Sequence, residues 1–122
     1  MTKTLSMINY KFGSVVLVGF PFTNLQTTKK RPAVIINHIN YQKQRPDIIL
    51  MAITSRIRQP LTIGEALIQD WQIAGLAKPS LFKPLIATIA RERVIKIMGQ
   101  LTKEDQQTLQ AIILEIIGPQ KY

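Results

Sequence analysis

The chain has 122 residues, 46% of them hydrophobic and 19% charged, and a formal net charge of +9 from 16 basic and 7 acidic side chains. That is the composition of one globular domain of modest core, not of a disordered segment. It has no cysteine and one histidine, His38, which excludes disulfide frameworks, thiol nucleophiles, thiolate metal sites and any two-histidine pair within one subunit.

No acidic residue precedes Asp47, whereas Lys3, Lys11, Lys29, Lys30, Arg31, Lys43 and Arg45 all do. A one-signed field of this kind attracts polyanions, nucleic acid first among them. The first twelve residues are too polar for the apolar core of a signal peptide, and no apolar run approaches the ~18 residues that span a membrane. Residues 1–10 read as a loose leader, with one barrel-like domain over residues 11–122 of a cytoplasmic protein that contacts no membrane.

After Gly13-Ser14, Val15–Phe20 is a first strand. Residues 21–30 form a long loop of turn formers, hydroxyls, amides and lysines, longer than a hairpin needs and suited as a functional flap. Lys29-Lys30-Arg31 then abuts an apolar, β-branched run that Pro32 opens, a second strand to about His38. His38 reads as a polar residue at a strand end. A polar turn over Asn40–Pro46 leads to a third strand, Asp47–Thr54, followed by Ser55 and Arg56. If these two strands pair antiparallel, the start of one lies beside the end of the other. Arg31 and Thr54 would then meet at one rim, which is the predicted active site.

Leu61–Ile68 alternates like a further strand interrupted at Gly64. Asp70–Gly75 is a turn ending on glycine. Trp71 reads as core or partner interface rather than a base-stacking platform. Residues 78–84 are proline-bounded and extended, Leu85–Ala90 is a short apolar run, Arg91–Arg93 a solvated charged bend, and Val94–Leu101 a last strand. The C-terminal helix has Thr102 as N-cap, Glu104 and Asp105 in its first turn and Gly118-Pro119 as its stop. Leu109, Ile112, Ile113, Ile116 and Ile117 form one apolar face. Short strands with irregular joins and one terminal helix predict a mainly β small barrel.

With GSVVLVGFPFTNL, KKRPAVIIN, AITSR, AGLAKPS with IATI, and GQLTKED in this order, the chain resembles the MazF/PemK toxins of toxin–antitoxin modules, in their PemK-like branch. The resemblance runs from about Lys11 to Gly118. It implies an SH3-like barrel that forms a homodimer, cuts single-stranded RNA such as mRNA without metal or other cofactor, and is held inactive by a cognate acidic antitoxin. Ser14 and Asn24 stand where the family usually carries aspartate. By resemblance, Arg31 and Thr54 are catalytic and residues 21–30 cover the RNA. Lys29, Lys30 and Arg56 then suit the phosphates, Ser55 a second hydroxyl role, and Asn24, Gln26, Thr27 and Phe22 base selection. Exposed apolar residues around Leu81–Phe82 and Ile112–Ile117 are the expected dimer contacts. Two other readings share the basic rim: a non-catalytic toxin of the same barrel type acting on DNA gyrase, and a nucleic-acid-binding module without activity.

Overall fold

The computed structural model describes residues 10–20 and 29–120. Six strands form one antiparallel sheet: β1 (Ser14–Phe20), β2 (Lys29–Ile35), β3 (Asp47–Thr54), β4 (Ala66–Leu67), β5 (Leu81–Ala90) and β6 (Val94–Gln100). Helix α1 (Ile39–Gln44) joins β2 to β3, and α2 (Lys103–Ile116) closes the order. The strands lie in the order β4-β5-β3-β2-β1-β6. This is the mainly β fold with a C-terminal helix that the sequence predicts. Among the described residues no ladder joins the two edge strands, β4 and β6. No helix there is long and apolar enough to cross a membrane.

The central strands are apolar on both faces, so alternate residues enter two separate core layers. Val16, Val18, Ala33, Ile35, Ile48, Leu50 and Ala52 pack on one face with Tyr10, Ile89 and Val94. Val15, Val34, Met51, Ile53 and Phe82 pack on the other with Leu101, Leu109 and Ile112. Tyr10, placed with the leader by the sequence, is buried in the first layer; residues 1–9 of that leader lie outside the described residues.

The Thr102 hydroxyl accepts the Asp105 N–H at 3.3 Å and donates to the Asp70 carboxylate at 3.0 Å. Asp105 is 1% exposed. Its carboxylate accepts the N–H groups of Gln69 and Asp70 at 3.0 and 2.9 Å. The residue chosen for the helix dipole thus also fastens the helix start to the loop after β4. That loop crosses β6 backbone to backbone. Gly75 has φ +82°, and a Cβ on it would strike the Met98 carbonyl; one on Gly99 would strike that of Ala74. Only glycine fits such a crossing.

Several segments depart from expectation. The segment Asn40–Pro46, read as a polar turn, is mostly taken up by α1 (Ile39–Gln44), whose start is capped by the His38 Nδ1 accepting the Asn40 N–H at 3.0 Å. The expected strand over Leu61–Ile68 shrinks to Ala66–Leu67. The extended piece and the apolar run around Pro84 are one strand, β5. The register against β3 shifts between Met51↔Ile86 and Ala52↔Lys83, and that bulge accommodates Pro84 and Leu85 without a ladder N–H from the proline. Arg91 is not a solvated bend residue: its guanidinium donates to the carbonyls of Gln42, Arg45 and Pro46. Trp71 packs against the second core layer. On α2, Leu109 and Ile112 are buried as expected, whereas Ile117 is the C-cap and exposed.

Candidate functional site

β2 starts at Lys29, three residues before Pro32, because Lys29 to Pro32 pair with Phe20 to Leu17 of β1. The upstream loop therefore ends before Lys29. Residues 21–28, with Phe22, Asn24, Gln26 and Thr27, lie outside the described residues.

On its other side β2 pairs with β3 through Ala33↔Ala52, Val34↔Met51 and Ile35↔Leu50. The Ile36 N–H donates to the Ile49 carbonyl, while the Ile35 carbonyl accepts from Gly13. Even-numbered residues of β2 therefore turn their peptide groups toward β3. Pro32 is the next even residue, and it has no N–H to give. The ladder stops at Ala33. Beyond it, the ends of β2 and β3 border a cleft of about 300 Å³, lined by Lys30, Arg31, Pro32, Ile53, Thr54 and Ser55. Leu76, Ala77, Lys78, Ser80 and Met98 line it as well.

Continued by two residues, the β2–β3 register sets Arg31 opposite Thr54. Both share the parity of Ala33 and Ala52, so both project from the sheet face of the first core layer. The sequence expectation that these two residues meet at one rim agrees with this register. Arg31 is exposed and Thr54 half-buried. The Thr54 Oγ1 accepts the Arg56 N–H at 3.1 Å. This fixes the hydroxyl by a local turn and leaves its proton available for donation.

Thr54 also lines a second groove of about 330 Å³, with Arg56, Arg58, Pro60, Thr62, Glu65 and Lys83. Glu65 is its carboxylate. The oxygen Oε1 accepts the Thr62 N–H at 2.7 Å and the Thr62 hydroxyl at 3.0 Å. Those bonds, backbone first, hold its carboxyl below the usual range, with the Lys83 charge adding to them. Thr54 is therefore a ridge between two grooves. Among the described residues Arg45–Asp47 is the ion pair within 4 Å, so Lys30, Arg31, Lys78, Arg56 and Arg58 have no carboxylate at that distance, and Lys83 meets the Glu65 charge only from farther away. No three His, Cys, Asp or Glu side chains converge there to hold a metal ion.

Of the expected site residues, Lys30, Arg31, Thr54 and Ser55 line the cleft, and Arg56 lines the second groove. Lys29 is exposed at the start of β2 and lines neither. Lys78, Ser80, Met98, Arg58 and Lys83 were not singled out from the sequence. Arg58 and Lys83 were legible as cations, but the bulged β3–β5 register that brings Lys83 opposite Ala52 was not. Leu81 and Phe82, expected as exposed dimer contacts, are buried. They belong to the strand that covers the end of β3.

Solved structures share this fold. An endoribonuclease from a mycobacterial species matches with a TM-score of 0.70 over 89% of this chain and 91% of its own, at 11% identity. The Mycobacterium tuberculosis toxin MazF-mt6 matches with 0.67 over 84% and 93%, at 17% identity. A chain of the MazE–MazF complex from Deinococcus radiodurans matches with 0.70 over 93% and 100%, at 13% identity. No curated protein matches the sequence. A family profile does, over residues 11–117, covering all six strands and α2. The chain belongs to the PemK-like, MazF-like toxins of type II toxin–antitoxin systems.

Proposed function

We propose that this toxin is an endoribonuclease that cuts single-stranded RNA in the cytoplasm, with Arg31 and Thr54 as its catalytic residues. The observation that carries the reading is the pair's position: opposite each other by register, on one face, where Pro32 ends the ladder and the cleft begins.

RNA brings its own nucleophile. The 2′-oxygen attacks the adjacent phosphorus, the bond from phosphorus to the 5′-oxygen breaks, and the products are a 2′,3′-cyclic phosphate and a 5′-OH. One proton leaves the 2′-oxygen and one reaches the 5′-oxygen. The step requires in-line placement and stabilisation of charge on the phosphorane oxygens, and it needs no metal. Arg31 supplies a planar fork for those oxygens with no carboxylate competing for it. Thr54, its acceptor side occupied by Arg56 N–H, donates its proton to a phosphate oxygen. Ser55 stands beside it as a second donor. Arginine stays charged and is a poor base, so Arg31 works by charge stabilisation.

Lys29, Lys30 and Arg56 hold the flanking phosphates, joined by Arg58 and Lys83 along the second groove. Asn24, Gln26, Thr27 and Phe22 remain the proposed base-reading residues of the upstream loop. The same basic rim suits an acidic antitoxin segment that folds on binding. The active form is a homodimer, for which exposed Leu114 and Ile117 of the α2 end replace Leu81 and Phe82 as proposed contacts.

The test is cleavage of a long single-stranded RNA in EDTA by the native chain, Arg31→Ala and Thr54→Ala. Cutting with cyclic phosphate ends, lost in both variants, is expected. Equal cutting by all three would remove the site. No cutting by the native chain would remove the activity and leave gyrase inhibition or RNA binding to be measured.

A further inference from the structure

Cleavage moves two protons, and Arg31, which keeps its charge, supplies neither. Among the described residues no carboxylate or histidine lines the cleft. A protein group that protonates the departing 5′-oxygen must therefore be one of its hydroxyls or lysines. A hydroxyl is too weak an acid. A lysine ammonium holds its proton at neutral pH, yet is a far stronger acid than the alcohol that leaves, so it can yield the proton as negative charge grows on that oxygen. Two lysines line the cleft among the described residues, Lys30 and Lys78. Lys30 stands next to Arg31 on the same strand, whereas Lys78 stands on a separate wall, the segment from Leu76 to Ser80.

That wall is tied down on each side of Lys78. Before it, the Leu76 N–H donates to the Trp71 carbonyl at 3.0 Å, and Gly75 crosses Gly99 of β6 backbone to backbone. After it, the Ser80 carbonyl accepts the Ile68 N–H at 2.9 Å. Ser80 is buried, and its hydroxyl donates to the carbonyl of Lys78 itself at 2.8 Å. The backbone of Lys78 is thus fixed while its side chain is exposed. Arg31 and Thr54 project from the face of the first core layer, whereas Leu76 belongs to the second. The wall of Lys78 therefore borders the cleft from the other face. In an in-line displacement the entering and leaving oxygens lie on opposite sides of phosphorus, apart from the non-bridging oxygens assigned to Arg31 and Thr54. Resting on the ribonuclease reading, we propose that Lys78 is a third catalytic residue, the general acid for the 5′-oxygen. Its ammonium gives one proton to that oxygen as the bond to phosphorus breaks, and the neutral amine takes a proton back from water. The proton of the 2′-hydroxyl leaves to water.

A leaving group that needs no proton separates this role from a mere phosphate contact. Cut sites of the native chain are mapped on a long RNA in EDTA, and a short oligonucleotide spanning one of them is made twice, with oxygen or with sulfur at the bridging 5′ position. A thiolate departs without protonation. Lys78→Ala should slow cleavage of the oxygen substrate by about 10²-fold or more, the low end for a general acid, and leave the sulfur substrate within about threefold of the native rate. Lys78→Arg, which keeps the charge on a much weaker acid, should stay slow on oxygen. Lys30→Ala, the loss of a phosphate contact, should slow both substrates alike. All three variants should melt with the native chain, since both side chains are exposed. Equal slowing of the two substrates by Lys78→Ala, full rescue by Lys78→Arg, or an unchanged rate on oxygen overturns the general acid and leaves the ribonuclease. A split between oxygen and sulfur in Lys30→Ala but not in Lys78→Ala overturns it too, by moving the acid to β2. A native chain that cuts neither substrate removes the ribonuclease and this role with it.

Discussion

The two ends of β3 are built on opposite principles. At its start, the buried side-chain polar atoms of the described residues all have partners. Asn37 is 4% exposed; it accepts the Ile49 N–H at 2.9 Å and donates to Gln42. Gln42 donates in turn to the Asp47 carbonyl. The Tyr41 hydroxyl and Arg45 both reach the Asp47 carboxylate, and Arg91 closes over three carbonyls. Seven residues away at Thr54, six cations surround two grooves, and among the described residues none has a carboxylate within 4 Å. A fold gains nothing from massing unpaired like charges, which repel. The first end is arranged for the chain itself, the second for something that brings negative charge.

Exchanging the roles of the two ends tests this contrast. Arg31→Ala should lower the RNA cleavage rate by about 10²–10³, the cost of removing one preorganised donor, with the melting temperature unchanged. A drop in melting temperature of the same order as for a core variant would mean that Arg31 supports the fold instead. Asn37→Ala should do the reverse. It strands the Ile49 N–H and a Gln42 oxygen, at about 1–3 kcal/mol of stability measured by urea unfolding, and leaves the cleavage of the folded protein intact.

Smaller effects lie in the second groove. Arg58→Ala or Lys83→Ala should each reduce the slope of log affinity against log salt for single-stranded RNA by about 0.7, one phosphate contact apiece. An unchanged slope would take that groove off the RNA path. Glu65→Gln should change the cleavage rate by less than about tenfold. Its carboxyl is held low and bonded to Thr62, whereas an acid–base group contributes about 10²–10⁴; a loss in that range would make Glu65 the base.

Acid should act on the opposite end of β3. The Tyr41 hydrogen bond first, and Arg45 with it, hold the Asp47 carboxyl below 3.8. A depressed folded value gives stability that is present above 3.8 and lost as pH falls through the lower folded value. Asp47→Asn should remove that part of the acid sensitivity in a melting series from pH 5 to 2.

Much of the contrast was legible in the sequence. Repeated β-branched runs identified β2 and β3, and the Arg31 and Thr54 placements followed from pairing two adjacent strands. Thr102 and Gly118 bounded α2. What escaped were features made by tertiary structure. A histidine cap turned a polar hexapeptide into α1, and a bulge allowed Pro84 inside β5. Leu81 and Phe82 looked available because nothing local shows that β5 lies between β4 and β3. Lys78 and Met98 became neighbours of Arg31 only through the crossing at Gly75.

Pro32 carries a further consequence. An ordinary residue there would offer an N–H toward β3, and the ladder could zip past Ala33 to join Ile53. The protein would gain a hydrogen bond and lose its opening. The imino acid thus marks a trade-off written into one position: the sheet is left unfinished beside the proposed site, and a ladder closed at this point would be more stable but would remove the opening on which the proposal rests.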